Sequence, residues 1–259
     1  MRADQLLVER GLAASRSQAQ RLIASGVQWR LGAGALRRVA KNGDELPETA
    51  ELLLLDDAEA RYVSRGGLKL EGALHAAGWD VRGWRCLDVG QSTGGFTDCL
   101  LQQGAAQVVG IDVGHGQVHP RIRGDARVLC VEGVNARELA PDDARIPDAA
   151  LGFDLLVGDV SFISLTLVLP AVVPLLKSGA RLLMLVKPQF ELQPGQVGKG
   201  GIVRDASLYP VVEQRIRTTL DGLGMQVQAW RDSPIEGGDG NREFFVQAVK
   251  GLPVEGEAR

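Results

Sequence analysis

Residues 86–114, CLDVGQSTGGFTDCLLQQGAAQVVGIDVG, spell an apolar strand, a glycine-rich turn, a helix and a second apolar strand ending in an acid. That order is the nucleotide-cradling unit of a doubly wound α/β domain, so it fixes the fold class to look for in the rest of the chain. Leu87 to Val89 reads as the first buried strand. Gly90, Gly94 and Gly95 let the following turn bring backbone amides close to a ligand at the helix N-terminus. Val108 to Ile111 reads as the next strand, and Asp112 closes it. A carboxylate there, about 20 residues beyond the glycines, can accept both hydroxyls of an adenosine ribose. The glycines run G-x-x-x-G-G rather than G-x-G-x-x-G, and no G-K-[ST] follows, which disfavours pyrophosphate and triphosphate cradles. A ligand with a ribose but no phosphate, such as S-adenosyl-L-methionine, fits better. A tight turn that binds nothing would use the same glycines for geometry alone.

With 259 residues, 45% of them hydrophobic, the chain can bury a full α/β core and still carry a small second domain. No apolar run approaches bilayer length, and the start MRADQLLVERG lacks a signal-peptide core, so a cytoplasmic protein with no membrane partner is expected. Cys86, Cys99 and Cys130 form neither a C-x-x-C pair nor a disulfide framework and read as reduced thiols. The net charge of −3 is unevenly distributed. Residues 1–41 carry eight Arg or Lys against Asp4 and Glu9, a local +6, which leaves −9 for the remainder. A basic module ahead of an acidic domain suits a protein whose small end finds a polyanion.

In that module, residues 3–11 read as a helix stopped by Gly11. A second helix runs from an N-cap at Ser15 to Ser25, with Gly26 as its C-cap. Arg16 and Arg21 fall on its polar side, where they could meet successive phosphates or simply be solvated. Short strands are expected at Val27–Arg30, Leu36–Val39 and Glu51–Leu55. The pattern D-x-L-L-V-E-R-G-L-A-x-S-R-x-x-A-x-x-L-I-x-x-G resembles the S4 RNA-binding domain, over about residues 1–56. Trp29 and the run Leu31 to Arg38 depart from the usual V-N-G type of strand and turn. Residues 57–62 read as a linker and 63–259 as the main domain. Ser64 to Gly78 reads as a helix with Arg65 and Lys69 one turn apart and small neighbours that leave room for a substrate beside Lys69. Arg2, Arg16, Arg21 and Arg65 are the candidate RNA contacts.

Strands are expected near 86–90, 107–112, 127–131, 154–158, 181–187, 225–230 and 243–249, with helices between. This alternation implies a sheet parallel through its first five strands, with ligands at the carboxyl ends. Asp159 and Lys187 lie just past two of those ends. Asp159 could instead cap a helix over Leu165–Val173, and Lys187 could be a salt-bridged edge residue. Asp154, at the amino end of its strand, reads as structural. Methyl transfer to a hydroxyl needs a group that handles its proton, and a lysine tuned by carboxylates can act as base or stabilise an alkoxide. The N-P-P-Y or D-P-P-Y turn that serves amine acceptors is replaced by Asp159-Val160-Ser161-Phe162, which favours an oxygen acceptor. His115 and His119 have no third ligand in register, so no metal site is expected.

SRGGLKL, LDVGQSTGGFTDCLLQQGA, GDVSFISL, VKPQFE, GKGGIVRD and NREFF occur in this order. Together they resemble the TlyA family of ribosomal RNA 2′-O-methyltransferases, sometimes labelled haemolysin A, over essentially the whole chain. The resemblance implies a Rossmann-like class I methyltransferase domain of the FtsJ type, with a seven-stranded, mostly parallel sheet behind a small S4-like α+β domain. It implies a catalytic tetrad at Lys69, Asp159, Lys187 and Glu243. It implies S-adenosyl-L-methionine contacts from Asp88, Gly90, Ser92, Gly94 and Asp112, with Glu132 and Asn135 near the adenine. Gln91 stands where the family often has Ala and is expected to modulate cofactor affinity. The implied acceptor is a cytidine ribose in 16S or 23S ribosomal RNA, or both. Monomer and dimer stay open, as does the choice of base or electrostatic stabiliser for Lys187. A non-catalytic ribosome-assembly factor is a rival that the intact glycines, Asp112, lysines and acids oppose. A membrane-active haemolysin is another, and no amphipathic helix of the required length supports it.

Overall fold

A computed structural model of the chain describes residues 1–55, 61–146, 152–237 and 240–252 and divides into two units, Met1–Leu68 and Lys69–Arg259. In the first, α1 spans Ala3–Glu9 and α2 spans Arg16–Gly26, the latter started by Ser15, whose Oγ accepts from the Gln18 amide at 3.2 Å. Leu6, Leu7, Leu22 and Ile23 are buried between these helices and the sheet of β1 (Val27–Arg30), β2 (Arg37–Arg38) and β3 (Glu51–Leu54). The sheet is antiparallel in the order β2-β1-β3, with Trp29 opposite Arg37 and Arg30 opposite Glu51. The strand expected at Leu36–Val39 is reduced to two residues because Leu36 faces solvent and Val39 turns into the core.

Asp4 reshapes the expected basic face. Its carboxylate is fully buried and binds Arg2 Nε at 3.0 Å and Arg16 Nη2 at 2.9 Å. Arg16 therefore does not stand free beside Arg21, because a buried carboxylate needs a counterion and recruits two. The two guanidinium groups hold Asp4 far below the usual carboxylate range, Arg2 contributing most. The Arg2 and Arg16 side chains remain 42% and 54% exposed.

The unit boundary falls within α3 (Gly66–Ala77). Because this helix starts at Gly66, Arg65 precedes it and is not one turn behind Lys69 on its face. Gly67 is required here, since a Cβ would lie 2.2 Å from the Tyr62 ring. Residues 57–60 of the expected linker lie outside the described residues.

The second unit carries β4 (Arg85–Val89), α4 (Gly95–Gln102), β5 (Gln107–Asp112), α5 (Pro120–Arg123), β6 (Val128–Glu132), β7 (Phe153–Gly158), α6 (Leu165–Val172), β8 (Leu176–Val186), α7 (Pro188–Glu191), α8 (Tyr209–Gly222), β9 (Met225–Asp232) and β10 (Phe244–Lys250). They form a seven-stranded Rossmann-like sheet in the order β6-β5-β4-β7-β8-β10-β9. β6, β5, β4, β7 and β8 run parallel, and β10 is antiparallel to both its neighbours. The continuous apolar runs of the middle strands are what two helix-covered faces demand: Leu87, Leu155, Leu156 and Leu182 are fully buried. The chain steps outward from β4 through β5 to β6, then returns to the other side of β4 with β7. The crevice beyond β4 and β7 is thus the topological switch point, where ligands bind in such sheets. No helix among the described residues is long and apolar enough to cross a membrane.

Candidate active site

At the switch point the backbones of the two turns touch. The Asp159 amide donates to the Val89 carbonyl at 3.1 Å, and Gly90, at φ 82°, leaves space into which a Cβ would bring contact at 2.7 Å with the Asp159 carbonyl. Beside this contact lies a cavity of about 550 Å³ lined by Gly90, Ser92, Asp112, Asn135 and Asp159 and walled by Val89, Ile111, Val134 and Ile163. Asp112 Oδ2 accepts from the Ser92 amide and Oδ1 from the Gly114 amide, both at 2.7 Å, which fixes the carboxylate at the cavity wall. Each oxygen keeps a further lone pair for a ligand hydroxyl. Asn135 Oδ1 accepts from the Arg137 amide at 3.2 Å and so caps the turn that carries it.

Three of the expected cofactor residues do not line this cavity. Asp88 is fully buried under the turn, where its Oδ2 accepts from Thr97 Oγ1 at 2.7 Å, and Thr97 Oγ1 in turn accepts from Gln91 Nε2 at 3.0 Å. Burial pushes the Asp88 carboxyl up to about 7, against the Thr97 hydrogen bond, and the nearby Asp159 carboxylate pushes the same way. Gly94, at φ 95°, starts α4 and packs against Ile122. Glu132 Oε1 is taken by the Gly116 amide at 2.9 Å and Arg123 Nη2 at 2.6 Å. These residues support the cradle from behind.

The four residues of the expected tetrad form two ion pairs. Lys187 Nζ lies 2.5 Å from Asp159 Oδ1 and donates to Ser161 Oγ at 2.8 Å. Lys69 Nζ lies 2.5 Å from Glu243 Oε2, and these side chains are only 9% and 4% exposed. The sheet brings the pairs to one edge. Phe244 is opposite Val186 in the β8–β10 register, so Glu243 and Lys187, one residue further on each strand, lie next to one another at the carboxyl end of β8. Asp159 does not cap α6; Ser164 does, with its Oγ accepting from the Thr166 amide. Lys187 is salt-bridged, as one expectation had it, and its partner is Asp159 at the carboxyl end of the neighbouring strand β7. Asp154 is structural, accepting from the Arg85 amide at 2.9 Å and pairing with Lys177 at 2.7 Å.

Two residues of this site escape sequence reasoning. Glu191, buried at the end of α7, accepts from Ser164 Oγ at 2.5 Å and from the Leu165 amide at 2.8 Å, tying the segment after Lys187 to the one after Asp159. Its signal in the sequence is its place in VKPQFE, four residues after Lys187. Phe162 lines the cavity mouth, is 90% exposed and sits at φ 64°, with its ring 5.1 Å from that of Phe190. A bulky residue in the left-handed region is a backbone outlier of the kind that clusters at ligand sites. His119 Nδ1 accepts from the Arg121 amide and caps α5. Cys86 and Cys99 are buried free thiols.

Residues 62–250 match the FtsJ-like methyltransferase family. The 16S/23S rRNA (cytidine-2'-O)-methyltransferase TlyA of Mycobacterium tuberculosis is 44% identical over 95% of this chain and 88% of its own length. The 23S rRNA (cytidine-2'-O)-methyltransferase TlyA of Campylobacter jejuni is 31% identical over 83% of each chain. A solved structure of a Streptococcus thermophilus protein that carries the hemolysin name is 39% identical, with a TM-score of 0.73 over 97% of this chain and 88% of that one. The chain belongs to the FtsJ-like methyltransferase family, in its TlyA branch.

Proposed function

We propose that this protein methylates the 2′-oxygen of a cytidine ribose in ribosomal RNA, using S-adenosyl-L-methionine as methyl donor. The observation that carries the reading is the pair of Lys–carboxylate contacts, Lys187–Asp159 and Lys69–Glu243, at the carboxyl end of the sheet, with Asp159 also lining the cavity.

The cavity fits that donor. Its volume lies within the roughly 300–1,000 Å³ of small-molecule sites. Val89, Ile111, Val134 and Ile163 offer apolar walls to a purine, and Asp112 offers a carboxylate to the ribose hydroxyls. The bound donor supplies an electrophilic methyl on a sulfonium. The chain's own residues deal with the acceptor. A ribose hydroxyl is a poor nucleophile at neutral pH, so the site must stabilise negative charge on its oxygen and give its proton a way out. The Lys187 ammonium, oriented by Asp159 and Ser161, is placed to do the first. The Asp159 carboxylate, 24% exposed, can take the departing proton and pass it to solvent. The burial of Lys69 and Glu243 strengthens these interactions by excluding water.

Phe162 is suited to stack on an unpaired base at the cavity mouth, since single-stranded RNA is commonly held by aromatic faces. The N-terminal unit, whose residues 1–56 are read as an S4-like RNA-binding module, contributes Arg2, Arg16, Arg21 and, past that module, Arg65. The protein then works in the cytoplasm, where ribosomal subunits are found. The M. tuberculosis relative is named for 16S and 23S RNA and the C. jejuni relative for 23S alone. Incubating unmodified ribosomal subunits with the protein and labelled donor should place one methyl on a cytidine 2′-oxygen of 16S RNA, 23S RNA or both. Mass spectrometry of the digested RNA identifies the position; base methylation or no methylation rejects the reading.

A further inference from the structure

Between α7 and α8 the chain makes a glycine loop, Gly198–Arg204, whose backbone is tightly specified. The Gly198 amide donates to the Ile202 carbonyl at 2.9 Å and the Gly201 amide to the Gly198 carbonyl at 3.1 Å. Asn241, only 3% exposed, clamps the loop from inside: its Oδ1 accepts from the Val203 amide at 3.0 Å and its Nδ2 donates to the Gly201 carbonyl at 2.9 Å. Asn241 is two residues before Glu243, so the same backbone segment holds the loop and delivers a carboxylate to the site. Gly200 and Gly201 both sit at φ 79°, and a Cβ on either would meet no atom within 4 Å. Their outer face is open, and two side-chain-free residues there permit close approach by another backbone.

Lys199 and Arg204 flank these glycines and are exposed, and neither forms an ion pair among the described residues. Much of the positive charge elsewhere in this unit is already neutralised. Arg121, Arg123, Arg127, Arg145, Arg217 and Arg242 each hold a carboxylate at 2.5 to 2.8 Å. Beyond residue 41 the chain is strongly acidic. A polyanion that must reach the catalytic edge of such a domain needs unneutralised cations close to it. We infer that the Gly198–Arg204 loop is a phosphate grip for the acceptor RNA, with Lys199 and Arg204 contacting backbone phosphates near the target nucleotide and Asn241 fixing their position relative to Glu243. This inference rests on the RNA methyltransferase reading above.

The test uses the full-length protein and in vitro transcribed, unmodified 16S and 23S RNA, with affinity measured across a salt series. Each phosphate contact to a single strand contributes about 0.7 to the slope of log affinity against log salt. The double variant Lys199→Gln/Arg204→Gln should lower that slope by about 1.4 for two such contacts and weaken binding at moderate salt. The charge-retaining variant Lys199→Arg/Arg204→Lys should keep the wild-type slope. Calorimetric affinity for S-adenosyl-L-methionine should be the same in all three proteins. An unchanged slope in the glutamine variant, while the wild type binds and methylates, overturns the grip and leaves the methyltransferase reading standing. A loss of donor affinity in that variant also overturns it, because the loop would then be supporting the cavity. If the wild type itself neither binds nor methylates RNA, both readings fall together.

Discussion

Gly90 and Asp159, the residues just after two adjacent parallel strands, are in backbone contact: a Cβ on residue 90 would lie 2.7 Å from the Asp159 carbonyl oxygen. The cradle turn and the turn that presents the Lys187 partner are therefore one packed object, and Gly90 is the residue that lets them meet. Gly90→Ala should damage both. The left-handed φ alone costs about 1–2 kcal/mol for a residue with a Cβ, before the contact with the Asp159 backbone is relieved. The melting temperature should fall, and donor affinity by calorimetry should drop at least about tenfold, equivalent to about 1.4 kcal/mol. Wild-type affinity in this variant would mean that the turn moves independently of Asp159.

Lys69 and Glu243 differ from Lys187 and Asp159 in how completely they are withdrawn from water, and the two lysines should fail differently. Lys69→Ala leaves the Glu243 carboxylate buried without its counterion, a loss of about 3–5 kcal/mol in comparable pairs. Lys69→Met combined with Glu243→Gln should recover most of that stability and none of the turnover. Lys187→Ala, at a more open position, should leave melting and donor affinity close to wild type while lowering turnover by roughly 10²–10³-fold, as expected for loss of a preorganised charge at a developing oxyanion. Denaturant unfolding, calorimetry and single-turnover methylation separate these outcomes.

The buried Asp88 carboxyl links stability to pH in an unusual direction. Its ordinary value is 3.8, and burial raises it to about 7 in the folded protein. Between these values the folded state binds more protons than the unfolded state, so this group's contribution makes the protein less stable as pH rises from about 4 to about 7. The contribution is complete above the folded value. Asp88→Asn removes the titration while keeping an acceptor for Thr97. The stability difference between variant and wild type, from unfolding at a series of pH values, should therefore grow in favour of the asparagine variant up to about pH 7 and then level off. A difference independent of pH would show that Asp88 is ionised throughout.

The parallel core is legible because buried strands read as unbroken apolar runs, and glycines with Asp112 mark the cradle through local spacing. Lys187 and Asp159 are legible as ionisable groups following such runs, but their contact depends on which strands are neighbours, and the pairing of Lys69 with Glu243 spans 174 residues. Nothing local in the sequence says that Asp88 lies under the turn instead of facing the ligand. The N-terminal charges mislead for a related reason. A lone aspartate in a basic helix pair looks solvated, yet the packing of α1 against α2 buries Asp4 and draws in Arg16.

That ion pair separates two arginines that look alike in sequence. Arg16→Ala removes one of the two counterions of a fully buried carboxylate and should destabilise the N-terminal unit. Acid should act in the same sense: Asp4 is held far below its ordinary value, so its stabilisation is present above about pH 4 and is lost as pH falls toward the folded value. Arg21→Ala leaves the Arg2 and Arg16 contacts of Asp4 in place. It should destabilise less than Arg16→Ala and reduce the salt slope of RNA binding by about 0.7 if this side chain holds a phosphate. Equal effects of the two substitutions on stability would contradict the assignment of Asp4 as the anchor of Arg16.

Glu191 is a further connection between the two halves of the site, and it is not among the residues that line the cavity. Its carboxylate accepts from Ser164 and Leu165 at the start of α6, while Pro188–Glu191 begins immediately after Lys187. Burial raises its pKa above the ordinary glutamate value, and the two donors oppose that shift, which is the signature of a carboxylate that is desolvated yet held in place. Glu191→Ala leaves the Leu165 amide without its partner in a buried position, at a cost of about 1–3 kcal/mol. The segment from Asp159 to Ser164 is then held to the Lys187 segment by the Lys187 contacts and the Phe162–Phe190 rings, without the Glu191 anchor. Lys187 and Asp159 should still form a pair, but in a broader set of geometries, so turnover should fall about tenfold or more, as small misplacements do, with donor affinity little changed. Glu191→Gln keeps one acceptor and should fall between the two. If Glu191→Ala lowers stability and leaves turnover per folded molecule at the wild-type value, Glu191 only caps a helix and the two catalytic segments are aligned by the sheet alone.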